Sequence, residues 1–311
     1  MKLYLKMKKK SIFVFLLSFF LMIDCQSNSI ANSDTTLNKK KLAWIGSSEF
    51  LIAGSSLIAL DRIWYSKYPK TSFHTFNDSK DWLQMDKVGH GVTSYYISYL
   101  NYEVFNWTNL SKNKAILIGS ATGLAYLTTI EIMDGFYNEW GFSYSDMGAN
   151  LLGVGLFTTQ QYFWDEQRLK LKFSFQKSGL AQYRPELLGD GIYEQILKDY
   201  NGQTYWLSAN IHSFLNKKTR FPKWINLALG YGADGMIGGT ANDYTLCNGD
   251  PSCLNLKRSR QFYISLDADL TKIEWKNKFM KVLTTSIGFI KIPFPALEIN
   301  TNQSKFHWFY F

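Results

Sequence analysis

The sequence predicts an α+β protein: an N-terminal four-helix bundle followed by a mostly antiparallel β region, built as a curved sheet or partial barrel. Three observations predict it. Apolar residues recur with a helical period in four segments before about residue 168, the period falls towards two after it, and Gly/Asn/Asp/Pro clusters separate the later segments. The expected organisation is residues 1–31 as a signal peptide, 32–167 as the helical bundle and 168–311 as a β-rich region associated with the envelope or membrane.

The N-terminal segment is lysine-rich up to Lys10 and then apolar from Ile12 to Ile23. That run is shorter than the roughly 20 residues needed to cross a hydrocarbon core, and fits the h-region of a secretory signal. The chain is therefore expected to be exported, to the periplasm or outer membrane. Cys25 stands where a lipoprotein cysteine would, but Asp24 before it is not the small residue a lipobox carries; "SIA" from Ser29 to Ala31 offers an alternative cleavage site after Ala31. Cleavage there removes five lysines and Asp24, so the formal charge falls from +9 to +5. A balance that mild suits a solvated surface or anionic head groups. No Lys/Arg run is interleaved with stacking aromatics, which points away from nucleic acid. Membrane lipid or envelope proteins are the expected partners.

The four helical segments run from Leu42, Asp86, Lys114 and Ser145. The first, third and fourth mix Gly, Ala and Ser with Leu and Ile, a composition that lets helix backbones approach closely, as in membrane bundles. A buried bundle and one sunk partly into a membrane both agree with the hydropathy. Strand-like segments follow: "RLKLKFSF" from Arg168, "TYWLSANIHSFL" from Thr204, "WINLALGYG" from Trp224, "QFYISLDADL" from Gln261 and a final "KFHWFYF". With strict alternation, His307, Phe309 and Phe311 share one face of the last strand and Phe306, Trp308 and Tyr310 the other. About six strands are too few for a small closed barrel, which needs about eight. Cys247 and Cys253, in "CNGDPSC", read as a small, exposed disulfide loop in an oxidising compartment.

The chain has four histidines, and one lies in "DKVGHG", Asp86 to Gly91. Asp86 is expected to cap the second helix, with Lys87 beside it and His90 one turn on, on the same face as Asp86. Glu131 and Asp134 lie three apart at the end of a strongly apolar helix, where carboxylates need partners. Ser143, Asp146 and Asn150 follow at helical spacing, Ser143 with Asp146 as a variant capping box. His90, Glu131, Asp134 and Asp146 together are also the donor set expected of a site for a divalent metal between helices.

The order Asp86-Lys87-x-x-His90, then Glu131-x-x-Asp134, then Gly141-x-Ser143-x-x-Asp146-x-x-x-Asn150-x-x-Gly153 resembles the YfiM-type family of envelope lipoproteins, in a larger form of the kind found in Bacteroidetes-type envelopes. It is more distantly similar to the VanZ-like membrane family. The resemblance spans about residues 80–165 and implies a short helical bundle with a polar cluster. It brings no established reaction, substrate or cofactor.

Three functions remain open at this point. One is a non-catalytic, membrane-associated structural or binding protein of the envelope with a buried Asp/His/Glu cluster. The second is a metal-dependent hydrolase acting on an envelope lipid or phosphate ester. The third is a transporter component with ionisable groups inside a membrane bundle. The sequence has no Gly-rich phosphate loop, no Gly-x-Ser-x-Gly elbow and no His-Glu-x-x-His pair.

Overall fold

The computed structural model describes residues 37–66, 68–216, 218–247, 251–300 and 304–311. The signal segment, Cys25 and the cleavage site after Ala31 lie outside the described residues. The architecture is α+β, as the change of period predicts: long helices precede a six-stranded, fully antiparallel sheet that does not close on itself. The chain divides into two compact units interleaved in sequence. Among the described residues, one comprises 37–76, 94–165 and 275–286; the other comprises 77–93, 166–274 and 287–311.

The helical unit contains α1 (Lys39–Leu60, continued by a π-helical turn Asp61–Tyr65), the part of α2 (Met85–Asn106) from Ser94 on, α3 (Lys112–Asp134) and α4 (Tyr144–Trp164). Asn38 caps α1 by accepting from the Lys41 amide at 2.9 Å, and Ser143 caps α4 by accepting from the Asp146 amide at 3.1 Å. Some inter-helix contacts of this unit are small and polar, beside the aromatic packing of Tyr99 and Tyr102 on Phe157. Gly119 of α3 lies so close to α2 that a Cβ there would stand 2.6 Å from the Ser98 carbonyl oxygen, and Gly123 meets Ser94 and Ser98. The hydroxyls of Ser120 and Thr158 join α3 to α4 at 2.6 Å, and Gln161 donates to the Tyr102 hydroxyl at 3.0 Å.

In the second unit the strands are β1 (Leu169–Phe175), β2 (Gln203–Asn210), β3 (Ile225–Asp234), β4 (Ser259–Ala268), β5 (Phe294–Asn300) and β6 (Ser304–Tyr310), paired in chain order. β5 is not among the segments named from the sequence; Pro295 within it faces solvent, and the strand pairs on both sides. The alternation in "LKLKFSF" is inverted relative to a water-soluble sheet. Lys170, Lys172 and Ser174 are buried, while Leu169, Leu171 and Phe173 lie on the more open face. The same inversion runs across the sheet. On the buried face Lys170 pairs with Asp269 at 2.9 Å and Lys172 with Asp267 at 2.6 Å, Ser208 donates to Asp267 at 2.6 Å, and His307 meets Glu298 at 2.7 Å. On the other face the register aligns Leu171, Leu207, Leu229, Ile264, Leu297 and Phe306 in one row, one residue from each strand.

The expected faces of the last strand need correction. Between the pairs Phe294–Tyr310 and Ala296–His307, the single residue Pro295 of β5 faces two residues of β6, so a bulge sits at Trp308 and Phe309. The extra residue shifts the alternation. His307 and Tyr310 turn to the same side, their rings 5.0 Å apart, while Trp308 and Phe309 are both exposed.

Cys247 and Cys253 form a disulfide with Cα atoms 6.1 Å apart. Both are buried in a small cluster with Tyr183, Leu188 and Ile237, rather than exposed. Apolar neighbours from the 180–188 segment cover them; the sequence of the turn alone gives no sign of these neighbours.

Candidate functional site

The "DKVGHG" motif belongs to the sheet-containing unit, together with its partners. The backbone enters α2 through three consecutive left-handed residues, Trp82, Leu83 and Gln84, at φ 49, 50 and 66°. For residues with a Cβ this conformation costs roughly 1–2 kcal/mol each, and it persists where surrounding contacts fix it. The contacts are present: the Trp82 amide donates to the Gly239 carbonyl at 2.8 Å, the Tyr231 hydroxyl donates to the Leu83 carbonyl, and Gln84 bridges the Ser79 carbonyl (2.9 Å) and the Arg260 guanidinium (2.6 Å).

α2 therefore starts at Met85, and Asp86 lies inside its first turn instead of capping it. The left-handed turn sets the helix start one residue earlier than the polar pattern suggests, which leaves the Asp86 side chain available for tertiary contacts. One carboxylate oxygen accepts from the Tyr200 hydroxyl at 2.6 Å and the other from Lys87 Nζ at 3.1 Å. Lys87 also pairs with Asp78 at 2.6 Å, and His90 Nε2 stands 3.8 Å from Asp86. All four charged or ionisable side chains are largely shielded from solvent. Burial alone raises the Asp86 carboxyl, but His90, Lys87 and the Tyr200 hydrogen bond outweigh it and hold the group below its ordinary value. Gly89 has a steric role here. A Cβ at this position would stand 2.7 Å from the Tyr205 hydroxyl, which is buried and donates to Gln203 at 2.7 Å. Burial, and then the Asp86 charge, push the Tyr205 phenol upward.

The remaining candidate residues lie in the helical unit. Glu131, Ser143, Asp146 and Asn150 are all buried. The backbone amide of Ser143 donates to Glu131 at 3.1 Å while the Ser143 hydroxyl accepts from the Asp146 amide, so Glu131, twelve residues upstream, supplies the reciprocal acceptor of the capping arrangement. Asp134 is drawn to a different partner, accepting from the Tyr65 hydroxyl at 2.6 Å. Its neighbour in this aromatic corner, Tyr137, donates to Asp61 at 3.0 Å and stacks on Tyr65 with ring centroids 4.6 Å apart.

Within the sheet-containing unit Asp86, Lys87 and His90 share a network, and within the helical unit Glu131, Ser143 and Asp146 share one. Asp78, Tyr200 and Tyr65 are not marked by the sequence: Tyr200 and Tyr65 lie 114 and 69 residues from the carboxylates they bind, and Asp78, though near Lys87 in the chain, sits before the helix in a stretch with no helical period. The Lys170/Asp269 and Lys172/Asp267 pairs were missed for another reason. Lysines alternating with leucines read as the solvent face of a strand, yet "DAD" at 267–269 provides two carboxylates that hold them inside.

Residues 75–161 match a family model described as predicted periplasmic lipoprotein (DUF2279). No curated protein and no solved structure matches the chain. The matched stretch contains every candidate residue from Asp78 to Asn150, and its likeness to a predicted periplasmic lipoprotein is consistent with an exported protein associated with the periplasm or outer membrane.

Proposed function

We propose that this is a non-catalytic, membrane-associated structural or binding protein of the envelope, whose sheet lays its apolar face against lipid. One observation carries the reading: the sheet buries ion pairs and exposes a row of Leu, Ile and Phe. Leu229 is 51 % exposed and Ile264 44 %, whereas Lys172 on the opposite face is 1 % exposed. Burying paired charges while leaving this much apolar area in water is unfavourable at roughly 25 cal/mol per Å² of apolar surface, and the arrangement becomes favourable where hydrocarbon replaces water. A contiguous exposed apolar patch of this kind marks a protein or membrane contact.

The polar networks fit a structural role within this reading. Asp86 is already paired with Lys87, His90 and Tyr200, and Glu131 with the amide of Ser143; such buried partners fix the register of helices. The likeness to YfiM-type lipoproteins, and more distantly to VanZ-like membrane proteins, belongs to this proposal and rests on the order of those polar residues.

The sheet contact is tested with bimane attached at Ile264→Cys and Leu229→Cys in vesicles containing brominated acyl chains. Quenching at both sites, and none at a control on Glu186→Cys, is expected; equal, weak quenching at all three sites overturns the lipid contact. The non-catalytic part is tested by elemental analysis of the purified protein beside His90→Ala. Absence of stoichiometric metal is expected in both. Bound metal that is lost on substitution overturns it in favour of a metal-dependent hydrolase of an envelope lipid or phosphate ester.

A further inference from the structure

We propose that the helical unit is itself inserted in a lipid bilayer, with α1 and its π-helical extension (Lys39–Tyr65) and α3 (Lys112–Asp134) crossing the hydrocarbon core. Among the described residues these are the two helices long and apolar enough to do so. At 1.5 Å per residue, 27 and 23 residues reach about 40 and 35 Å, against a core of about 30 Å. A water-soluble helix of such composition is hidden in a core, but only 6 % of the apolar window of α1 is buried and 28 % of that of α3. Phe50, Leu51, Ile58 and Leu117 project into solvent, Phe50 at 80 % exposure.

The interior of the unit has the complementary character. Where these helices meet their neighbours the contacts are Gly119 and Gly123 against Ser94 and Ser98, Ser120 against Thr158, and Ser56 against Tyr126 at 2.8 Å. Glycines and hydroxyls at the helix contacts, beside buried Ile116, Leu127 and Phe157, with further leucine and phenylalanine facing outward, suit helix association in lipid, because close backbone approach and hydrogen bonds hold helices together where apolar contact alone offers no advantage over acyl chains. Glu49, the one charge between Leu42 and Leu60, is half-buried instead of projecting outward.

The ends of the two helices fit a bilayer as well. α1 and α3 run in the same direction, since Asn38 bonds to Thr108 at one end and Tyr65 to Asp134 at the other. Lys39, Lys40, Lys41, Lys112 and Lys114 therefore gather at a single end, where Lys41 lies over the Trp107 ring at 4.0 Å. The opposite end is closed by Tyr65, Tyr68, Tyr137 and Trp140 in mutual ring contact. Lysines facing anionic head groups at one boundary and aromatic rings at both are the features that fix a helix across a membrane.

This inference goes beyond the sheet contact and is tested separately from it. The full-length chain carrying Cys25→Ser, so that no acyl anchor holds it, is reconstituted into phosphatidylethanolamine/phosphatidylglycerol vesicles with a nitroxide at Phe50→Cys, Leu117→Cys or Lys40→Cys. Phe50 and Leu117 are exposed, so the substitutions leave the packing unchanged. We expect both to be relaxed by oxygen and shielded at least tenfold from an aqueous nickel complex relative to Lys40. Equal nickel access at all three sites overturns the insertion, as does release of the unlabelled Cys25→Ser protein from native membranes by alkaline carbonate. A label at Ile264→Cys in the same vesicles reports on the sheet alone, so either reading can fail while the other stands.

Discussion

At the scale of single residues, Asp86 and Lys291 show how partners in one case and burial in the other lower a folded-state value, so that stability rises with pH in two separate windows. Asp86 is held below its ordinary value of 3.8 by His90, Lys87 and Tyr200 against the opposing effect of burial. The unfolded chain therefore binds the extra proton first as pH falls, and the stabilisation is complete above about pH 4 and lost as pH falls through the folded value. Asp86→Asn is expected to destabilise the folded protein by about 1–3 kcal/mol at pH 7, by removing the carboxylate charge that Lys87 and Tyr200 share while Lys87 keeps its pair with Asp78, and to flatten the stability profile below pH 3.8. Denaturant titrations across pH 2.5–7 check both parts, at roughly half-unit steps. Lys291 gives the same sign in a more alkaline window, with burial instead of partners as the cause. It is fully buried, donates to the Ile292 carbonyl at 3.1 Å and lies 4.5 Å from the Trp206 ring centroid. Burial pushes its amine down from 10.5 to about 8, with Asp267 opposing the shift. Between those two values the unfolded chain keeps a proton that the folded chain has lost, so stability rises with pH by up to about 1.4 kcal/mol per pH unit. Lys291→Met is expected to raise stability at pH 7 and to remove that rise; melting temperatures at pH 7, 8, 9 and 10 would show it.

At the scale of elements, backbone proximity and register decide which residues matter. A Cβ on Gly119 would stand 2.6 Å from the Ser98 carbonyl and 2.9 Å from the Tyr102 amide, both fixed backbone atoms. Gly119→Ala is expected to destabilise the helical unit by about 1–3 kcal/mol through overpacking. Gly148, on α4, has nothing within 4 Å of that position, so Gly148→Ala is expected to stabilise by about 0.5–1 kcal/mol. Thermal unfolding in detergent distinguishes the two signs. In β6 the bulge makes a similar division. Tyr310 is buried, shares a hydrogen bond with Thr204 at 3.1 Å and packs on Tyr263 at 4.5 Å, whereas Phe309 is 81 % exposed. Tyr310→Ala is expected to cost about 3–5 kcal/mol and Phe309→Ala within about 0.5 kcal/mol in detergent. Similar losses for both would mean that the bulge does not separate their environments.

For the molecule as a whole, both compact units expose apolar surface and shelter polar groups, a distribution that suits an envelope protein meeting lipid. Export is the premise. The protein recovered from the cell envelope is expected to begin at Asn32, read by N-terminal sequencing; a blocked, acylated Cys25 as first residue would show that Asp24 is tolerated in a lipobox. Much of this level was legible in the sequence. The change of apolar period near residue 168 separates helices from strands because side chains recur every 3.6 residues in one and every two in the other. Among the described residues, long helices lie where the apolar periods indicate, and Ser143, Asp146 and Asn150 of "GFSYSDMGAN" are buried.

By itself, then, the sequence determined the class of fold, the position of the long helices, most of the strands and the set of residues worth watching, since all of these follow from local periodicity and from the solvation demands of each side chain. Only the tertiary structure decided which partner each polar residue takes. Tyr200 lies 114 residues from Asp86, and Asp269 lies 99 from Lys170, separations over which no local pattern carries information. It also decided which face of the sheet is buried. A strand that alternates Lys with Leu obeys the same period whichever side faces in, and the choice was fixed by carboxylates arriving from β4 and the turn after it, which neutralise the lysines and leave the leucines outward. The last strand makes the same point with one residue: a bulge at Trp308 and Phe309 reverses the faces beyond it, and the energy that favours the bulge comes from seating Tyr310 against Tyr263 and Trp206, contacts that exist only once the sheet is assembled.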